Sequence, residues 1–256
     1  MKSISQNDKR GVVYIFWGNK AETFLKRSVR SLQIHHPHLP IHYHRVASPV
    51  PGRELREKIR MKSISPFQTT LYLDIDTIVM GNLDYAFEQA ERFGLACAIN
   101  ECPWMRRYCQ PGEEDHTEYN TGVMSFTSAA GAVFDAWEML ESTTTSASSW
   151  AMPDRSPRGS AYDDQASFAR ALRMCNFNPF VLPVNFNYRP DFSPRAFAPL
   201  KVWHDYRNPP AGLVELSSAC ERGERPVTLF DINVIAPPRP NPNDPPPTQA
   251  SQIESE

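Results

Sequence analysis

The apolar segment 70–73 is followed directly by two carboxylates, Asp74 and Asp76, with one residue between them. Side chains two residues apart project to the same side of an extended backbone, so we expect both carboxylates to face one site. Ligands of open α/β sheets bind beyond the carboxyl ends of the strands, which is where this pair falls. Two hard oxygen ligands there suit a divalent cation that also holds a diphosphate. The structural alternative is that Asp74 caps the next turn and that Asp76 is solvated.

The elements that must position these carboxylates alternate along the chain. Apolar and β-branched runs predict strands at 11–17, 41–46, 70–73, 95–99 and 122–126. Helical patterns fall at about 21–32, 53–64, 83–93, 129–141 and 163–172. Such alternation is typical of βαβ units, so the predicted fold class is α/β, with a mostly parallel sheet flanked by helices.

Composition narrows the class of protein. The chain has 256 residues, is 41% hydrophobic and 22% charged, and carries a formal net charge of −2. A dedicated nucleic-acid binder normally shows a basic excess, so no nucleic-acid partner is expected. No apolar run approaches the roughly 18 residues of a membrane helix, and the 5 scattered cysteines form no C-x-x-C pair. We therefore expect reduced thiols, no integral membrane segment and a cytoplasmic location.

Proline marks a boundary near the C-terminus. Seven of the 24 prolines fall between Pro237 and Pro247, and polar sequence continues to Glu256. Such a segment buries too little surface to offset its ordering entropy. The sequence thus predicts a single folded domain over residues 1–235 and a disordered Pro-rich tail over residues 236–256.

The segment 65–79 resembles the Asp-x-Asp region of GT-A glycosyltransferases, which use nucleotide-diphosphate sugars. The similarity is greatest to families related to glycogenin and to bacterial lipopolysaccharide galactosyltransferases. Three further motifs follow in the order that this resemblance implies. Segment 119–124 is similar to an acceptor-side Asn-x-Gly strand, 163–165 to an Asp-Gln helix start, and 202–204 to a late strand ending in a metal-binding histidine. The resemblance spans roughly residues 11–207 and implies the GT-A fold, with a Rossmann-like sheet.

The resemblance implies a metal site of three ligands, Asp74, Asp76 and His204. Asp74 would also reach the donor ribose. An imidazole ligand shifts the preferred ion from magnesium towards manganese, with Mg²⁺ as the substitute. The alternative for His204 is a packed, hydrogen-bonded residue beside Trp203.

The resemblance also implies the residues around the sugar. Asn120, Asp164 and Gln165 would orient it at the reaction centre. Asp163 would contact the donor, and Gly122 would let a ligand approach the backbone closely. The structural alternatives are a β-turn into a strand for residues 120–122 and helix N-capping for residues 163–165.

The chain departs from the related families after His204. These families usually continue with a glycine and a lysine that grips the diphosphate, and here Arg207 is the predicted replacement because a guanidinium pairs well with phosphate oxygens. Lys58 and Lys62 share a predicted helix face, from which Lys62 is expected to help neutralise the donor. Trp17 is expected near the nucleotide base. A solvated lysine pair and a core tryptophan are the alternatives.

The function implied is transfer of a hexose from a nucleotide-diphosphate sugar, with UDP as the expected nucleotide, to a hydroxyl of a glycan or small-molecule acceptor. Retention at the anomeric carbon is expected; in an inverting enzyme Asp164 would be the general base. Acceptor choice is expected in loops 100–118 and 142–161. Two alternatives stay open: a nucleotide-sugar-binding module without turnover, and a haloacid-dehalogenase-type phosphatase. The phosphatase motif normally lies on the first strand, whereas two predicted strands precede it here.

Overall fold

The computed structural model describes residues 9–19, 21–101, 117–144, 148–151, 157–160 and 162–235. The predicted tail at 236–256 lies outside the described residues. So do most of loop 100–118 and about half of loop 142–161, to which acceptor choice is assigned.

A six-stranded sheet forms the centre of the fold, in the order β2-β1-β3-β6-β5-β9. The pairs β1–β2, β1–β3 and β5–β9 are parallel, whereas β6 is antiparallel to both of its neighbours. The strands are β1 (Arg10–Phe16), β2 (Ile41–Arg45), β3 (Thr69–Leu73), β5 (Leu95–Ile99), β6 (Tyr119–Thr127) and β9 (Phe180–Leu182). Five strands therefore run in one direction, which confirms the predicted α/β class with a mostly parallel sheet.

Smaller antiparallel pairs and helices complete the architecture. The paired strands are β4 (Thr77–Val79) with β11 (Val202–His204), β10 (Arg195–Ala198) with β12 (Thr228–Asp231), and β7 (Ser148–Ala151) with β8 (Pro157–Ser160). The α-helices are α1 (Ala21–His35), α2 (Met61–Ile64), α3 (Asp84–Phe93), α4 (Gly131–Glu141), α5 (Asp164–Met174), α6 (Ala211–Glu221) and α7 (Ile232–Ile235). Short 3-10 helices cover Glu54–Arg60, Ser128–Ala130 and Val184–Asn187.

The core lies on both faces of the sheet. Successive side chains of β1 point to opposite faces. Val12, Tyr14 and Phe16 pack with the apolar sides of α1 and α3. Val13 and Ile15 pack with those of α4 and α5. Because β1 and β3 are buried on both faces, they read in the sequence as nearly continuous apolar runs.

The reversed direction of β6 brings two distant segments together. Since β6 runs opposite to β3, its first residues lie beside the carboxyl end of β3, and Leu73 pairs with Val123. The Asp74 N–H donates to the Gly122 carbonyl at 2.8 Å. The Asp-x-Asp and Asn-x-Gly segments therefore meet at one edge of the sheet.

Strand β4 was not predicted, since a three-residue strand is too short to show alternation. It begins directly after Asp76 and pairs with β11 in a register that sets His204 opposite Thr77. The Asp205 N–H donates to the Asp76 carbonyl at 3.1 Å. This pairing carries the histidine to the carboxylates.

Candidate functional site

Asp74, Asp76 and His204 converge at this edge of the sheet. One ligand atom from each residue lies within 4.8 Å of the others. His204 Nε2 is 3.4 Å from Asp76 Oδ1 and 3.7 Å from Asp74 Oδ2. In the described part of the chain, this is the one group of three such side chains close enough to share a metal ion.

The local backbone differs from the extended geometry that the sequence predicts. Strand β3 ends at Leu73, and the next residues form a turn. Thr77 closes that turn, because its N–H and its hydroxyl donate to the Asp74 carbonyl at 3.2 and 2.7 Å. The two carboxylates thus meet through a turn rather than through strand alternation.

A chain of amides fixes the His204 ring. Its Nδ1 lies 2.7 Å from Asn187 Oδ1, and Asn187 Nδ2 donates to Asn120 Oδ1 at 2.7 Å. Asn120 Oδ1 also accepts the Gly122 N–H at 2.9 Å. Because Asn187 Oδ1 can only accept, Nδ1 donates to it, and Nε2 is the ring nitrogen that faces the carboxylates. This is the outer-shell arrangement that orients a metal-binding histidine.

Both oxygens of Asp74 accept hydrogen bonds. Lys58 Nζ donates to Oδ2 and the Tyr72 hydroxyl donates to Oδ1, each at 2.7 Å. Burial by itself would lower the pKa of Lys58, but the carboxylates of Asp164, Asp74 and Asp76 outweigh it, and the pKa is raised. Lys58 is therefore a buried cation that offsets part of the negative charge of the site.

The residues present fit a divalent cation. A Cβ built on Gly122 would lie 2.3 Å from His204 Cε1 and 2.7 Å from Asp74 Oδ2. The absence of a side chain at Gly122 therefore leaves a space beside the candidate ligands, which any other residue would fill. Two carboxylates and an imidazole form a donor set suited to a divalent metal ion.

The start of α5 combines structural and chemical roles. Asp163 is its N-cap, accepting the Gln165 N–H at 2.7 Å, and the Gln165 amide also donates to Asp163, at 3.1 Å. Asp163 therefore caps helix α5, which is the structural alternative that the sequence left open for it. Asp164 is buried and accepts from the Thr121 hydroxyl at 2.6 Å. Burial, opposed by Lys58, raises the pKa of Asp164 to about 6.

A cavity of about 460 Å³ opens beside the metal ligands. Lys58, Asp74 and Asp76 form its ionic part. The rest of the wall is largely apolar, and half of its residues are aromatic: Phe16, Trp17, Phe24 and Tyr206. Trp17 therefore faces the cavity, at the end of β1.

Two predicted site residues point elsewhere. Lys62 lies 3.8 Å from Asp135 and lines a separate cavity beside α4. The predicted helix is in fact a 3-10 helix followed by α2, so positions 58 and 62 no longer share a face. Lys58, and not Lys62, is the lysine that lies beside the candidate metal ligands. The Arg207 guanidinium pairs with the carboxylates of Asp205 and Asp191 and does not line the cavity.

Sequence reasoning missed Asn187, Thr121 and Tyr72. The first two make their contacts across long stretches of chain and carry no local signal. Tyr72 alone was detectable, because a residue two positions before Asp74 in a strand lies on the same side.

A second, smaller cavity of about 190 Å³ adjoins the first. Asp76, Tyr206 and His204 line it on one side, and the segment 189–192 supplies Arg189, Asp191 and Phe192. The candidate metal ligands therefore lie between two cavities of different size.

Comparison with solved structures agrees with this architecture. An active-site mutant of LgtC matches with a TM-score of 0.51 and 15% identity, over 77% of this chain and 88% of that one. The galactosyltransferase LgtC in complex with donor and acceptor sugar analogues gives 0.50 and 15%, over 84% and 94%. Apo mouse xyloside xylosyltransferase 1 gives 0.50 and 12%, over 77% and 97%. No protein-family model and no curated protein matches the sequence.

These likenesses establish the fold. The chain has the GT-A fold of nucleotide-sugar glycosyltransferases, as the resemblance implied. Within the described ranges, none of the helices combines the length and the apolar character needed to span a bilayer.

Proposed function

We propose that this protein is a metal-dependent glycosyltransferase. It moves a hexose from a nucleotide-diphosphate sugar, with UDP as the nucleotide, to a hydroxyl of a glycan or small-molecule acceptor, with retention. One observation carries the proposal: two members of the Asp74–Asp76–His204 group, Asp74 and Asp76, line a cavity whose wall is ionic beside them and apolar and aromatic further away. A nucleoside diphosphate complements this lining: its charged diphosphate would bind a cation held by the carboxylates, and the flat face of its base would pack against the aromatic rings.

Asp74, Asp76 and His204 would hold the cation, Mn²⁺ in preference to Mg²⁺ because one ligand is an imidazole. When bound, the cation supplies Lewis-acid stabilisation of the negative charge on the departing diphosphate. His204 serves this role only in the tautomer that Asn187 enforces. Lys58 keeps the Asp74 carboxylate in place through its 2.7 Å hydrogen bond.

Residues beside Lys58 are proposed to orient the sugar. Asp164 lies under the electrostatic influence of Lys58 and is held by Thr121. Gln165 Oε1 is buried and has no hydrogen-bond partner among the described residues, which suits it to accept from a sugar hydroxyl. Asn120 completes the group from β6, and the smaller cavity accommodates the acceptor.

The burial of Asp164 supports retention over inversion. An inverting enzyme needs a general base within hydrogen-bond reach of the acceptor hydroxyl. Asp164 is 2% exposed and already accepts the Thr121 hydroxyl. Asp164 is therefore better placed to orient the bound donor sugar than to deprotonate the hydroxyl of an incoming acceptor.

Neither alternative function gains an observation in its favour. A phosphatase of the haloacid-dehalogenase type normally carries its Asp-x-Asp motif on the first strand of the domain, whereas β1 and β2 precede β3 here. A binding module without turnover differs from the proposed enzyme only in product formation, so an assay for transfer or hydrolysis of the donor separates the two.

The proposal is tested by thermal unfolding with UDP, with and without Mn²⁺, followed by assays with UDP-sugars. A ligand at about 100 times its Kd stabilises the native state by about 2.7 kcal/mol, so a micromolar site is readily detected. We expect a Mn²⁺-dependent rise in Tm that Asp76→Asn abolishes. Asp135→Asn, at a largely exposed carboxylate outside the site, is the matched control. Absence of a shift with every nucleoside diphosphate would refute the proposal.

A further inference from the structure

One arginine of α1 ties the loop that follows His204 to the metal-binding turn. Arg27 Nη1 donates to the Tyr206 carbonyl at 2.6 Å, and Nη2 donates to the Asp205 carbonyl at 2.9 Å. Nη2 also lies 3.4 Å from the Asp76 carbonyl. The Arg27 guanidinium therefore links the backbone of Asp76 to the two residues that follow His204.

The same arginine holds an aromatic pair at the cavity. The Arg27 guanidinium lies 5.3 Å from the centre of the Phe24 ring, and the Phe24 ring meets the Tyr206 ring edge-on at 5.1 Å. Tyr206 nevertheless leaves 64% of its surface exposed, while its side chain lines the 460 Å³ cavity. A tyrosine ring that is fixed on one side and open on the other is suited to pack against a planar ligand.

Tyr206 lies in the loop after His204, next to Arg207, the predicted replacement for a diphosphate-binding lysine. The cation available in this loop, Arg207, is paired with Asp205 and Asp191. The loop therefore offers the cavity an aromatic ring in place of a positive charge. Such a surface favours the nucleoside part of a donor over its phosphates.

We infer that Tyr206 is a donor-binding residue whose ring packs against the nucleoside, and that Arg27 positions it. The inference rests on the proposed function, because it requires a nucleotide in the larger cavity. Stacking of a base on an aromatic side chain is lost on substitution by alanine, with affinity falling about tenfold.

The test compares two probes, UDP and inorganic diphosphate, titrated calorimetrically into the full chain at saturating Mn²⁺. We expect Tyr206→Ala to weaken UDP binding about tenfold and to leave diphosphate binding unchanged, with Tyr206→Phe close to wild type. Arg27→Met is expected to lower the affinity for UDP more than that for diphosphate. Tyr85→Ala, at another part-exposed tyrosine outside the cavity, and Arg30→Met, at an exposed position of α1, are the matched controls.

The outcomes separate this inference from the function on which it rests. If wild type binds UDP and Tyr206→Ala binds it equally well, the inference is wrong and the proposed function stands. Equal weakening of UDP and diphosphate would also overturn it, because the effect would then lie at the metal. If Arg27→Met lowers Tm but leaves the ratio of the two affinities unchanged, Arg27 is structural only. Wild type that binds neither probe overturns both proposals.

Discussion

Replacing Gly122 by alanine is the most direct perturbation of the candidate metal site. The added Cβ would lie 2.3 Å from His204 Cε1 and 2.7 Å from Asp74 Oδ2, and ordinary contact begins at 3.4 Å. The imidazole must therefore retreat by roughly 1 Å in a close-packed environment. Relieving such overpacking costs about 1–3 kcal/mol of stability. Displaced by that distance, His204 no longer ligates an ion held by the two aspartates.

We expect Gly122→Ala to fold with a reduced Tm and to bind Mn²⁺ at least about 100-fold more weakly than wild type, by analogy with disrupted outer shells of metal sites. Calorimetric titration with Mn²⁺ measures the affinity, and thermal unfolding measures the stability. Gly212→Ala, in helix α6, is the control, because its Cβ would have one neighbour within 4 Å among the described residues, Ile235 Cγ2 at an ordinary 3.6 Å. Wild-type Mn²⁺ affinity in a folded Gly122→Ala protein would show that the ion does not bind between these ligands.

Three further predictions test the surroundings of the site and the fold. Asn187→Leu removes the acceptor that fixes the His204 tautomer, and we expect Mn²⁺ affinity to fall about 10- to 100-fold in calorimetry; unchanged affinity would contradict the role of the amide chain. Arg56→Ala leaves the buried Glu141 with the longer 3.8 Å contact to Arg53 as its remaining ion pair among the described residues, and we expect a loss of about 2 kcal/mol in denaturant unfolding, against less than about 1 kcal/mol for the surface-pair control Arg60→Ala. His36 accepts the Leu83 N–H at 2.9 Å and burial lowers its pKa below 6.5, so the unfolded chain binds more protons and stability falls as pH drops through 6.5. We expect the acid loss of Tm to be smaller in His36→Gln, which keeps an acceptor without titrating; equal losses would refute the assignment.

The structure also explains why distant residues form one site. Asp74 and Asp76 follow β3, Asn120 and Gly122 begin β6, and His204 ends β11. Only the antiparallel directions of β6 and β11 bring these ends together. A fully parallel sheet would place the start of β6 at the opposite edge.

The sequence by itself determined the local elements and the central pair of carboxylates. Runs of apolar residues define β1 and β3, because strands buried on both faces need apolar side chains at every position. The amphipathic pattern and the acidic N-cap define α5. Asp74 and Asp76 stand out because they follow such a strand at its carboxyl end, where ligands of open α/β sheets bind. The order of motifs, through resemblance, added His204 and the GT-A fold.

Tertiary structure alone decided which side chains surround that pair. The sequence favoured Lys62, but the change from 3-10 to α-helix turns Lys58 towards Asp74 instead. Nothing local marks Asn187 as the partner of His204 or Arg27 as the link between two loops. These contacts depend on strand order, direction and register, which join residues far apart in the chain. Local sequence patterns indicate only which face of each segment packs into the core. They therefore locate the candidate ligands but do not identify the side chains that position those ligands.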